Sequence, residues 1–530
     1  MTKRLLTVLG AVATLATGSA SAQNGHSFID AERSAVPYSR APMAAQRACA
    51  DVHRLSGGPL TILSADAVAA SGQTPAFCRV IALIQPEIRV EIALPAAWNR
   101  RLYMRGNGGF AGESLDAPPR LAQRDAALRH GFVAAQTNTG HDAEAEPVAS
   151  FALNNHQKVV DYTFRAVHET ALLAKRVAAF HYERPVAFSY FDGCSTGGRQ
   201  GLMSAQRFAG DFDGIVVGAP VLNFTHSIMT AVWNARALEK NPIGLDKMKL
   251  IADAIDKKCD GADGLADGLI DDPRQCKFDP AVDLPKCAPG SNGGPDCLTA
   301  GQIDTLKAIY SGPMAQGKPM FFGQPVGAEK HGTPPFGPTA PESGWTNWIV
   351  ADKGMSRQLT FGDSFMRYMA FGKHVANYDW RTFDFDKDPA KLAGISRLID
   401  ATDPDLSAFR SRGGKILMYF GWADTALTPL MGIDYYERVA AKMGPATRDF
   451  YRLFMVPGMF HCGGGVGCSN FDKLTPLMQW VEKGIAPDSL LGAQIVSGKT
   501  VRTRPLCPYP QVAKYKGSGS IDDAANFVCK

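Results

Sequence analysis

Gly193-Cys194-Ser195-Thr196-Gly197-Gly198 is the stretch that decides how this chain is read. It fits G-x-S-x-G, a sharp turn from strand to helix that lifts a serine hydroxyl clear of its own backbone. The flanks agree: Pro185-Val186-Ala187-Phe188-Ser189-Tyr190-Phe191 is short and β-prone, and Gly201-Leu202-Met203-Ser204-Ala205-Gln206-Arg207 can continue as a helix. Small residues are needed there because a bulky side chain would block the backbone's approach to helix and substrate. In a chain with 53 glycines the pattern alone is only modestly specific, so its partners carry the decision.

Outward from this turn, from about Arg89 to Thr225, short apolar strands alternate with helical stretches. Val90, Ile92 and Leu94 alternate in strand period, Leu102-Tyr103-Met104 runs into Gly106-Asn107-Gly108-Gly109, and Phe132-Val133-Ala134-Ala135 forms another apolar run. Residues 158–180 carry helical periodicity, and Gly214-Ile215-Val216-Val217-Gly218 reads as a strand after the elbow helix. Such alternation predicts an α/β fold with a mainly parallel sheet covered on both faces. The rhythm breaks between roughly Val221 and Ala408, a stretch rich in Pro, Gly, Asp, Cys and aromatics, and resumes at Lys415–Phe420 and Phe450–Val456. The expected organisation is an α/β core over 23–220, a lid domain inserted over 221–408, and the second part of the core over 409–530.

A serine hydroxyl needs a base within hydrogen-bond reach and a third group to orient that base. In hydrolases built around this elbow, the acid and then the histidine follow on loops beyond strand ends. Both resumed strands end suitably, the first before Asp424 and the second before His461. Cys194 directly precedes Ser195, and Cys462 directly follows His461. A disulfide requires Cα atoms within about 7 Å, so a Cys194–Cys462 bond would bring Ser195 and His461 into one neighbourhood. One oxyanion donor is expected from the N–H of Thr196, the residue after the nucleophile.

At the start, Lys3 and Arg4 precede an apolar run from Leu5 to about Leu15, and Ala20-Ser21-Ala22 offers a cleavage site before Gln23. Residues 1–22 therefore read as a secretory signal peptide. Its removal takes Lys3 and Arg4 from the 56 Lys+Arg and leaves the 51 Asp+Glu, a formal charge of +3. There is no basic cluster of the kind nucleic acid needs, and no later run of some 18 apolar residues that would span a membrane. The expectation is a secreted or periplasmic soluble protein acting on a small molecule, its oligomeric state unspecified. Eleven cysteines without a C-x-x-C imply disulfides rather than zinc thiolates, and the odd number leaves at least one over.

The Cys194-Ser195 … Asp424 … His461-Cys462 arrangement resembles the signature of the tannase/feruloyl esterase family. These are secreted α/β-hydrolases that include hydrolases of mono(2-hydroxyethyl) terephthalate. Gly106-Asn107-Gly108-Gly109-Phe110, Val456-Pro457-Gly458-Met459 and Arg502-Thr503-Arg504-Pro505-Leu506-Cys507-Pro508-Tyr509-Pro510 extend the resemblance over nearly the whole mature chain. It implies Ser195 as nucleophile, His461 as general base and acid, Asp424 as its orienter, and Gly109 as the second oxyanion donor. It also implies the bridges Cys49–Cys78, Cys259–Cys276, Cys287–Cys297 and Cys507–Cys529, with Cys468 unpaired.

Between Cys259 and Cys276 lies Asp260-Gly261-Ala262-Asp263-Gly264-Leu265-Ala266-Asp267-Gly268-Leu269. Spaced carboxylates and Gly-permitted carbonyls suit a hard cation, although a solvated acidic turn has the same composition. The resemblance implies a structural Ca2+ held by the side chains of Asp260, Asp263 and Asp267 and the carbonyls of Leu265 and Leu269. The aromatics of the 221–408 stretch include Trp345, Trp348, Phe361, Phe365 and Tyr368. The last three have the helical spacing of a core stripe, yet a lid over the serine must also wall an acyl pocket. The resemblance points to esters of hydroxycinnamic, gallic or related benzoic acids. Its terephthalate half-ester hydrolases hold the free carboxylate with a lid arginine; an approximate alignment sets Asp379 there, with Arg367 and Arg381 nearby. The competing reading from another class is a catalytically silent, calcium-stabilised protein that binds aromatic ligands.

Overall fold

A computed structural model describes residues 26–28, 36, 41–291, 293–335, 340–372, 375 and 377–530. The expected signal peptide lies outside the described residues. Among the described residues nine strands form one sheet: β1 (Leu60–Val68), β2 (Phe77–Ile84), β3 (Ile88–Pro95), β4 (Arg101–Arg105), β5 (Val133–Thr137), β6 (Phe188–Cys194), β7 (Gly214–Gly218), β8 (Lys415–Gly421) and β9 (Tyr451–Val456). Their order is β1-β2-β3-β5-β4-β6-β7-β8-β9. From β5 to β9 every neighbour pair is parallel, whereas β1, β2 and β3 join antiparallel. β4, β5 and β7 are buried at every residue, as parallel strands covered by helices on both faces must be. β1 instead exposes much of its length, the mark of an edge strand with one wet face. Neither β1 nor β2 is visible in an alternation that starts at Arg89.

The helical stretch expected over residues 158–180 is interrupted. An α-helical turn at His156–Val160 passes into one π-helical turn at Asp161–Arg165, and the α-helix resumes at Ala166–Tyr182. Periodicity does not register this because a π-turn inserts one residue into an otherwise regular apolar stripe.

Among the described residues, 219–414 add no strand to the sheet. Their longer helices are Phe224–Lys240, Met248–Cys259, Ala300–Ser311 and Arg357–Tyr368. Part of this insertion has a hydrophobic core of its own, in which Met248, Ile251, Leu306, Ile309 and Trp345 pack with Ala423 and Phe460. Those last two residues directly precede Asp424 and His461, so the insertion's core rests against both loops that follow β8 and β9. The later part, including Phe365, Met366, Trp380 and Phe383, joins the core of the sheet.

Candidate active site

The elbow is held by backbone proximity. Ser195 follows the last residue of β6 with φ 63° and ψ −121°, and the helix Thr196–Arg207 begins at the next residue. A non-glycine residue at positive φ is strained and persists only where its surroundings hold it. Here the Ser195 N–H donates to the Gly218 carbonyl at 2.9 Å, and the Ser195 carbonyl accepts from Arg199 N–H at 3.0 Å. A Cβ on Gly193 would lie 2.5 Å from Gly197 backbone, and one on Gly106 would lie 2.8 Å from the Gly197 Cα. The glycines of the motif are therefore a close packing of strand, loop and helix.

Asp424 lies just beyond β8 and His461 just beyond β9, and both are buried. His461 Nδ1 is 2.7 Å from Asp424 Oδ2, while Asp424 Oδ1 accepts the Leu427 N–H at 3.0 Å. Both carboxylate oxygens are thus engaged. Cys194 and Cys462 are joined, their Cα atoms 6.0 Å apart across 268 residues of sequence. The bridge ties the residue before Ser195 to the residue after His461. The other bridges are Cys49–Cys78, Cys259–Cys276, Cys287–Cys297 and Cys507–Cys529, and Cys468 is free and buried.

Gly109 sits in a turn closed by the Ala111 N–H on the Gly108 carbonyl at 2.8 Å, with φ +52°. In a trans peptide the N–H points opposite to the C=O, so the Gly109 N–H faces out of the turn. It meets no acceptor among the described residues, nor does the N–H of Thr196 at the helix start. Glu113 steadies the loop, accepting from Gly108 N–H at 2.7 Å and from Asn107 Nδ2 at 2.7 Å. The Thr196 hydroxyl donates to the Gly109 carbonyl, which brings the two expected oxyanion residues into direct contact.

Two aromatic side chains of the insertion reach these groups. Trp348 stands edge-on to the His461 ring, centroids 5.4 Å apart. Phe361 lies over Gly109, its ring 3.5 Å from where a Cβ would be, and packs 5.1 Å from Phe110. Phe365 is fully buried in the sheet's core, so the helical stripe divides between pocket and core. Asp379 is exposed and pairs with Arg381, which also binds Glu239, and Arg367 pairs with Asp363. Arg357, one turn before Phe361, instead lies 5.3 Å over the Trp348 ring. Its half-burial disfavours the charge and lowers its pKa, with Glu342 opposing. Sequence spacing had no means of singling it out, because its distance from His461 is set by the packing of Trp348.

In the acidic loop, Asp260 Oδ1 accepts from the Asp267 and Gly268 amides at 3.1 and 2.8 Å, and Asp263 Oδ1 accepts from Leu265 N–H at 2.9 Å. Asp267 Oδ1 accepts from Leu269 N–H at 3.1 Å, and its Oδ2 binds Arg504 at 2.5 Å. Asp271, outside the expected set, is pushed up to about 7 by burial and by the neighbouring Asp263 and Asp267. The donors are hard oxygens suited to a divalent cation. Among the described residues, however, no three acidic, thiol or imidazole groups converge as ligands.

A family model described as tannase and feruloyl esterase matches residues 72–530. An uncharacterised esterase of Xanthomonas campestris is 36% identical, with 92% of this chain and 91% of that protein covered. The mono(2-hydroxyethyl) terephthalate hydrolase of Piscinibacter sakaiensis is 34% identical, with 88% and 87% covered. The crystal structure of feruloyl esterase B from Aspergillus oryzae superposes with a TM-score of 0.77 at 27% identity, covering 90% of this chain and 98% of that one.

Proposed function

Because the chain belongs to the tannase and feruloyl esterase family, we propose that it is a serine carboxylic-ester hydrolase acting on esters of aromatic acids through an acyl-enzyme. The observation that carries the reading is the Asp424–His461 hydrogen bond, joined through the Cys194–Cys462 bridge to the strained Ser195 turn. Asp424 commits Nδ1 of His461, which leaves Nε2 for proton transfer. Ser195 Oγ attacks the ester carbonyl as Nε2 takes its proton, and the tetrahedral oxyanion is met by the Thr196 and Gly109 amides. Protonated His461 then gives the proton to the departing alcohol. Water, deprotonated in turn by His461, releases the acid and restores the serine. Trp348 and Phe361 supply flat apolar walls that suit a hydroxycinnamoyl, galloyl or benzoyl ring.

Hydrolysis of methyl ferulate, methyl gallate, chlorogenate and a terephthalate half-ester by the wild type, and its loss in Ser195→Ala, tests the reading. A silent aromatic-binding protein would show no turnover and no labelling of Ser195 by a fluorophosphonate. Arg357 favours a second reading within the same chemistry, an acyl group that carries its own carboxylate. Arg357→Ala should then lower kcat/KM for mono(2-hydroxyethyl) terephthalate far more than for its neutral methyl ester. Equal losses on the two would remove that reading.

Calcium binding at Asp260, Asp263 and Asp267 with the Leu265 and Leu269 carbonyls is supported by the donor chemistry and by the left-handed Gly264 and Gly268. A bound ion would brace the loop closed by Cys259–Cys276, apart from the chemistry, and its removal by a chelator should lower Tm. Export through the residue 1–22 signal is supported by five disulfides; no described helix is long and apolar enough to cross a membrane.

A further inference from the structure

We infer that Tyr162 is a positioning residue of the oxyanion hole, whose hydroxyl and that of Thr196 together lock the Gly109 peptide against the nucleophile's helix. The inference rests on the serine-esterase reading and deepens it. Tyr162 Oη donates to the Gly109 carbonyl at 3.0 Å and lies 3.4 Å from the Thr196 hydroxyl, which donates to the same carbonyl. A carbonyl has two lone pairs, and both are taken. Fixing that oxygen fixes the peptide following Gly109, while the Ala111–Gly108 bond fixes the one before it. The Gly109 residue, which as glycine would otherwise rotate freely, is held from both sides.

The backbone under Tyr162 has the same purpose. Tyr162 lies in the single π-helical turn Asp161–Arg165, a form that breaks the regular ladder and recurs at functional sites. Arg199, fully buried on the helix that starts at Thr196, donates to the Thr163 carbonyl at 2.8 Å and the Tyr162 carbonyl at 3.4 Å. Its guanidinium also lies 5.1 Å over the Tyr162 ring. The nucleophile's helix thus grips the π-turn, and the π-turn presses a phenol onto both oxyanion residues. Burial raises the Tyr162 pKa, so its hydroxyl remains a donor at working pH.

Oxyanion donors act because they are set before charge develops; outright loss of one costs 10²–10³ in rate. Loosening one costs less. Tyr162→Phe should therefore slow both kcat and the labelling of Ser195 by a fluorophosphonate roughly tenfold. Labelling needs no knowledge of the natural substrate: Oγ bonds to phosphorus as His461 takes its proton, fluoride departs, and the phosphoryl oxygen carries the developing charge. KM should stay within about twofold, and affinity for the free aromatic acid should not change, because only the transition state uses the hole. The double variant Tyr162→Phe/Thr196→Val should lose more than the product of the two single losses, since each hydroxyl covers for the other. Wild-type labelling and turnover in Tyr162→Phe would overturn the inference alone. So would a loss that follows Tm or product affinity, or single effects that simply multiply. A wild-type chain that is not labelled at Ser195 would overturn the esterase reading along with it.

Discussion

Replacing Cys194 and Cys462 together by alanine separates what the bridge does for stability from what it does for catalysis. The link closes 268 residues of chain, against 22 for Cys507–Cys529. Loop-closure entropy gives roughly 5–6 kcal/mol for the longer loop and roughly 3 kcal/mol for the shorter one at 25 °C. Total stabilities run to about 5–15 kcal/mol, so the long-loop variant sits near the edge. Its Tm should fall by roughly 10–20 °C, at about 2–4 °C per kcal/mol. The Cys507→Ala/Cys529→Ala variant should lose about half as much. Activity divides the two variants more sharply. Ser195 and His461 each adjoin a bridged cysteine, and a misplacement of about 1 Å at reacting groups costs on the order of 10²-fold. Measured by calorimetry and by ester hydrolysis at a temperature where both variants remain folded, the first should lose about two orders in kcat and the second almost none. A folded Cys194→Ala/Cys462→Ala protein that turns over at the wild-type rate would show that the sheet alone holds the two side chains in place, and the reasoning would fail.

Asp424→Asn keeps the shape but leaves His461 in the wrong tautomer, and kcat should fall about 10⁴-fold with little change in Tm. Arg101 and Glu482 form a buried pair, Nε to Oε1 at 2.7 Å. Arg101→Met should cost roughly 3–5 kcal/mol in denaturant unfolding by taking the buried carboxylate's cation away and leaving it the Tyr190 hydroxyl, while kcat per folded molecule is unchanged. Lys473 is buried, and that burial lowers its pKa to about 8 against the pull of Asp192. A lysine depressed in the fold destabilises it fully below that value and no longer does so above its unfolded pKa of about 10.4. Lys473→Met should therefore raise stability at pH 7, and the gain should shrink as pH rises from 8 toward 10.4; a gain that grows with pH would contradict this.

Much of the site was legible because its signals are local or adjacent. Gly193 and Gly197 announce a close backbone crossing, and strands ending before Asp424 and His461 announce loops at one edge of a sheet. The cysteines beside Ser195 and His461 turn adjacency in sequence into proximity in space. Asp379, the residue an approximate alignment sets at the arginine position, pairs with Arg381 on the surface, whereas Arg357 lies over the Trp348 ring. Position along a loop-rich insertion does not specify which side chain its folding brings inward.

From the residues alone came the Ser195 turn, the placement of Asp424 and His461 beyond strand ends, the Cys194–Cys462 bridge and the alternation of strand and helix. Each depends on steric or covalent constraints between near neighbours, or on a periodicity that burial imposes on one element at a time. Only the folded chain decided that β1 and β2 extend the sheet, that a π-turn presents Tyr162 to Gly109, and that Trp348 and Phe361 reach His461 and Gly109. The contacts of Tyr162, Trp348 and Phe361 join segments dozens to hundreds of residues apart. Their energy comes from packing and hydrogen bonds that exist only after the intervening chain has been ordered, so no local pattern has to carry a trace of them.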